Sequence, residues 1–121
     1  MAASPSRTHI FDKKNYMGAM EQFQIATNFD FEYAAPHLGL GELDFEHFNL
    51  IEKAIDEYQL AIQFEQRPSR LSHFLPKLAR ALEAAGRTAE ARQRYQEYLD
   101  RFPWGEHAQE ALAALERLGG E

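Results

Sequence analysis

The sequence predicts an all-α protein built from repeated helices, and three observations carry that expectation. Apolar residues recur at spacings of three and four along nearly the whole chain. No stretch alternates apolar and polar residues for long enough to form a strand. An alanine followed four positions later by an aromatic residue occurs three times, as Ala19 with Phe23, Ala54 with Tyr58 and Ala91 with Tyr95.

In chain order, Tyr16, Ala19, Met20, Phe23 and Ala26 form the first helical stripe. The run Phe29-Asp30-Phe31-Glu32-Tyr33 alternates aromatic and acidic residues and reads as a turn anchored by its rings. Pro36 suits the first turn of a second helix through Leu38, Leu40, Leu43 and Phe45, ending in the region of His47 to Asn49. Asn49 is then expected to cap a third helix, with Glu52 completing a capping box ahead of Ile51, Ala54, Ile55, Tyr58, Ala61 and Ile62. Gln66 to Ser72, with Pro68-Ser69, is the best loop candidate. Pro76 deletes a backbone hydrogen bond anywhere but in a first turn, so the helix of Leu75, Leu78, Ala79 and Leu82 is expected to start near His73 or Phe74. Gly86 closes it as a C-terminal glycine. Ala91, Tyr95, Tyr98, Leu99 and Phe102 form the next stripe, stopped by Pro103, and Ala108, Ala111, Leu112, Leu115 and Leu118 form the last, ending at Gly119-Gly120.

Composition narrows the function classes. A chain of 121 residues, 45% hydrophobic and 26% charged, is one domain with enough apolar content for a core. No cysteine is present, which removes disulfides, thiolate nucleophiles, cysteine-rich zinc sites and lipidated cysteines. A net charge of −6 argues against nucleic acid and anionic membrane as main partners, because basic patches hold both. The apolar runs are far shorter than the ~20 residues that cross a bilayer, so no direct membrane insertion is expected. The start, MAASPSRTHIF, carries no readable secretory signal, and a cytoplasmic address is the expectation. The acidity is uneven: residues 1–68 hold five Lys/Arg against eleven Asp/Glu, while residues 69–121 hold eight of each. Ten of the fifteen aromatics also lie in the acidic half.

Aligning the stripes puts Ala19 with Ala54 and Ala91, and Phe23 with Tyr58 and Tyr95, at spacings of 35 and 37. Here the chain resembles the tetratricopeptide repeat family, whose 34-residue unit is a pair of antiparallel helices. The third unit carries the signature best, with Leu75, Leu78-Ala79 and Leu82 on one helix, Gly86 in the turn, Ala91 and Tyr95 on the other, and Pro103 closing. The second reads His37, Leu40-Gly41, Ala54, Tyr58 and Ala61. The resemblance implies a right-handed α-solenoid with units near 14–31, 34–67 and 72–105, the first incomplete, and a capping helix over 106–118. Its small residues, such as Gly41 and Ala79, let helices approach while the aromatic a turn on fills the gap.

Departures are local. Phe31 and Gln66 stand where the family places a closing proline, and Tyr98 stands where it prefers alanine, so a more open third unit is expected. Residues 1–13 form an N-terminal extension or a short helix: Ser4, Pro5, Ser6 and Thr8 are poor helix formers, so either Thr8 to Lys13 makes a short helix or the first stripe lacks its cover.

Catalytic chemistry is thin. Among His9, His37, His47, His73 and His107 no two stand three or four apart, so sequence neighbours build no two-histidine metal site; neither metal nor cofactor is expected. The strongest enzymatic candidate is Glu42, Asp44, Glu46 and His47, and its bland alternative, a solvated helix face, is favoured. Arg87, Arg92, Arg94 and Arg101 alternate with Glu90, Glu97 and Asp100, a mixed-charge face rather than a nucleic-acid stripe.

The resemblance implies a non-catalytic scaffold that holds a protein or peptide on a concave face. By transfer from the family that face is lined by Leu38, Glu42, Phe45 and Glu46 from the second unit and His73, Lys77, Arg80 and Glu83 from the third. Only Lys77 and Arg80 approach the basic set by which some members clamp a chaperone's C-terminal carboxylate, so a cochaperone is not expected. A second expectation is an N-terminal edge of Ile10, Phe11, Tyr16 and Met20 that docks into an assembly or onto a second copy, since an uncovered apolar edge needs cover.

Overall fold

The computed structural model describes residues 13–119, which form six helices and no strand. They are α1 (Lys13–Phe29), α2 (Ala34–Glu46), α3 (Ile51–Phe64), α4 (Pro68–Ala84), α5 (Thr88–Arg101) and α6 (Ala108–Leu118). The fold is all-α, and each helix packs on the one that follows it. None is long and apolar enough to cross a membrane. Of the expected short helix or extension over residues 1–13, residues 1–12, with Ile10 and Phe11, lie outside the described residues, and Lys13 begins α1.

Two of the three repeated alanine and aromatic pairs lie in the core, while Ala19 and Phe23 of the first are half-buried. Ala54, Tyr58, Ala91 and Tyr95 are buried in one cluster with Leu75 and Leu78 of α4. Close approach has a visible cause at α2: a Cβ on Gly41 would meet the Tyr58 ring at 2.6 Å, and one on Gly39 would meet the Phe23 ring at 2.5 Å. His37 ties the start of α2 to its surroundings, with Nδ1 2.8 Å from Glu57 Oε1 and Nε2 2.6 Å from the Phe31 carbonyl. Both partners are acceptors, so the ring donates to both only when each nitrogen carries a proton.

Several helix ends follow the sequence reading. Gly86 has a φ of 78°, and the Arg87 and Gly86 N–H groups donate to the Leu82 and Glu83 carbonyls, the two bonds of a Schellman motif. α5 ends at Arg101 before Pro103, and α6 ends at Leu118 before Gly119. The 29–33 run is a turn in which Asp30 Oδ1 accepts the Glu32 N–H at 3.1 Å. One of its rings anchors it, Phe31 packing edge-on against His37 and Phe64. Phe29, by contrast, is 92% exposed, and Tyr33 also faces solvent.

Four expectations are corrected. Asn49 does not cap α3: its φ of 55° is left-handed, which asparagine tolerates, and it turns the chain so that the Phe48 and Leu50 N–H groups reach the Leu43 and Asp44 carbonyls. Glu52 makes no capping box and pairs instead with Arg87.

The expected loop of Gln66 to Ser72 is largely helix. α4 starts at Pro68, whose missing N–H costs nothing at a first helical position, and it runs through Pro76. An interior proline costs about 3 kcal/mol. Starting the helix early buries Leu71 and Phe74 on the same apolar face as Leu75 and Leu78, at about 1.5–3 kcal/mol each, which offsets that cost.

Tyr98 does not open the third unit. It is buried, its hydroxyl accepts the His107 N–H at 3.0 Å, and Gly105 lies so close beneath the ring that no side chain fits there. Finally, Asp44 is not part of a solvated face. It is 1% exposed.

Candidate functional site

Alternate helices meet through their charged side chains. Lys77 Nζ of α4 reaches Glu42 Oε2 of α2 at 2.8 Å. One turn further along α4, Arg80 grips Glu110 of α6 with two parallel bonds, Nε to Oε2 at 2.5 Å and a terminal nitrogen to Oε1 at 2.7 Å. Arg117 of α6 returns two bonds to Glu83 Oε2, at 3.1 and 2.6 Å. Glu83 also accepts the Tyr95 hydroxyl at 3.1 Å, so this surface pair is rooted in the core.

Four of the eight residues assigned to a concave face, Glu42, Lys77, Arg80 and Glu83, therefore join one ladder of ion pairs across α2, α4 and α6. Leu38 and Phe45 are half-buried and pack against the core. Glu46 is exposed, and His73 is exposed with its ring edge-on to His107 at 5.9 Å. Bidentate arginine fixes geometry better than a point charge does. The guanidinium of Arg80 also holds the Glu110 carboxyl below its usual range, against the opposing effect of burial.

Sequence reading missed the contribution of α6. Glu110 and Arg117 face Arg80 and Glu83 with opposite signs in reversed order, a complementarity visible only once α4 and α6 are known to be neighbours. His107 and Glu106, just before α6, lie with His73, and this is the group among the described residues with the donor types of a metal site.

At the other end, Tyr16 stacks on His47 with centroids 3.7 Å apart and planes 15° from parallel. Met20 lines a shallow depression with Met17, Gly18, Glu21 and Gln24. Met17, Ile25 and Phe29 of α1 are exposed. Ile10 and Phe11, expected beside them, lie outside the described residues.

The stretch from Glu42 to His47 is divided. Glu42 is engaged by Lys77 and His47 by the Tyr16 ring, while Asp44 points inward with neither carboxylate oxygen hydrogen-bonded. Burial raises the Asp44 pKa above the ordinary carboxylate value; the Lys53 charge opposes that shift and the Glu57 charge adds to it. Asp44 is thus enclosed, whereas His47 on the same stretch is exposed.

The mixed-charge face of α5 is as expected. Arg87 pairs with Glu90 and with Glu52 of α3, and Glu97 with Arg94 and Arg101. The chain matches no protein-family model, and no curated protein is similar enough to it to count as a relative.

Proposed function

We propose that the protein is a non-catalytic cytoplasmic scaffold of the tetratricopeptide-repeat kind, holding another protein or peptide on the side where α2, α4 and α6 meet. One observation carries the reading: these alternate helices, which would be the first members of successive pairs in a repeat of that kind, are laced to one another by Lys77–Glu42, Arg80–Glu110 and Arg117–Glu83. Such lacing suits a stack in which each pair covers its neighbour and one set of helices forms a continuous surface. The surface keeps charged groups of both signs in fixed positions, the arrangement that selects a partner by register rather than by bulk charge.

A specific observation supports a second reading, self-association through the N-terminal edge. Phe29, Met17 and Ile25 present exposed apolar side chains on α1, a helix at one end of the described stack. Light scattering over a range of concentrations separates the two. A constant monomer mass counts against self-association, and a mass that doubles with concentration supports it.

Affinity capture with mass spectrometry, run on the full chain and on a variant lacking residues 1–13, tests the main reading. Retained partners support the face of α2, α4 and α6. Partners lost with the deletion, from a variant whose helicity is unchanged, count against it.

A further inference from the structure

We propose that His73, Glu106 and His107 form a binding site for a divalent transition-metal cation of the zinc class. One donor atom from each lies within 4.8 Å of the others, although they come from α4 and from the turn before α6. Two imidazoles and one carboxylate are a donor set for zinc, cobalt or nickel. Magnesium and calcium prefer oxygen ligands and are disfavoured by the two rings.

His107 is held as a metal ligand is held. Its backbone N–H donates to the Tyr98 hydroxyl, and its Nδ1 lies 3.3 Å from Glu110 Oε1. Glu110 is itself fixed at both oxygens by Arg80. A carboxylate on Nδ1 leaves Nε2 free to bind a metal, the usual outer support of a ligating histidine. That Nε2 faces Glu106 Oε2 at 3.9 Å, too long for a hydrogen bond.

Two ligands of one tetrahedral ion stand roughly 3.3–3.5 Å apart at metal–ligand distances of about 2.0–2.2 Å. Closure thus needs small side-chain rotations, which the exposed His73 and the 72% exposed Glu106 side chain can make. One carboxylate and two neutral rings leave the bound ion a net positive charge. The fourth position stays open to water or to a donor from a bound chain.

The test is titration of the full chain with zinc, followed by calorimetry, and with cobalt, followed by its visible absorption. The expected result is one equivalent bound, a cobalt spectrum of four-coordinate type and a raised Tm. His73→Ala and Glu106→Gln, both at exposed positions, each weaken binding by about tenfold or more while helicity is unchanged. His47→Ala, at a residue that stacks on Tyr16 and is not one of the three donors, leaves binding as it was. Absence of stoichiometric binding overturns the proposal. So does a His73→Ala chain that binds zinc as tightly as the wild type.

Discussion

The ring of Tyr58 lies over Gly41 so closely that a Cβ on residue 41 would stand 2.6 Å from both Cδ1 and Cε1. Tyr58 is among the largest fully buried side chains and cannot swing away, because its ring is packed into the core cluster that runs from α3 to α6. The approach of α2 to α3 is therefore set by the absence of one carbon atom.

Gly41→Ala is expected to destabilise the protein by about 1–3 kcal/mol, since the overpacking penalty exceeds the helix-propensity gain. Gly18→Ala is the matched control. A Cβ there meets nothing within 4 Å, so the same exchange in α1 is expected to stabilise by about 0.5–1 kcal/mol. Urea denaturation of the two variants reads the contrast in sign.

Asp44→Asn is expected to change how stability depends on pH. Burial raises the folded pKa of Asp44 above the unfolded value of 3.8, so the folded chain binds the proton more tightly. Its stability contribution is therefore lost as pH rises from about that value through the raised one. Asn carries no such proton. The stability of Asp44→Asn relative to wild type should increase with pH across this window and then level off, in denaturation curves taken between pH 4 and 8. A difference independent of pH would show that Asp44 does not titrate abnormally.

The Arg80–Glu110 pair is expected to show the opposite slope. Arg80 holds the folded Glu110 carboxyl below its ordinary 4.5, so the stabilisation is present above that value and disappears as pH falls through the folded one. Both side chains are more than a third exposed, and solvent limits the coupling to about 1 kcal/mol or less. A double-mutant cycle of Arg80→Gln and Glu110→Gln at pH 7 measures it. Arg80→Lys should recover only part, because an ammonium cannot span both carboxylate oxygens.

Local chemistry was the readable part of this fold. The three stripes, Gly86 and the stop before Pro103 each rest on residues a few positions apart, and each is found. Asn49 misled because the residue type that caps a helix also tolerates a left-handed turn, and only the backbone shows which it does. Pro76 misled because the burial of Leu71 and Phe74, a tertiary effect, outweighs a local backbone rule. Tyr98 looked too large for its place, and Gly105 in the following turn makes room for it. The ladder's members on α2 and α4 are among the residues named from the sequence, and those on α6 are not. Glu110 and Arg117 join through ion pairs between helices that are not consecutive, and Glu106 and His107 come beside His73 only in the folded chain.

The central claim is that the charged surface across α2 and α4 recognises a protein partner. Exchanging the members of one pair, Glu42→Lys together with Lys77→Glu, preserves the ion pair that joins the helices while inverting the charge pattern presented outward. The decisive measurement is the affinity of this double variant for the partner captured by the wild-type chain, with helicity and Tm as checks on folding. The account predicts an unchanged fold and an affinity lowered by about tenfold or more. Full affinity in the folded double variant would contradict it.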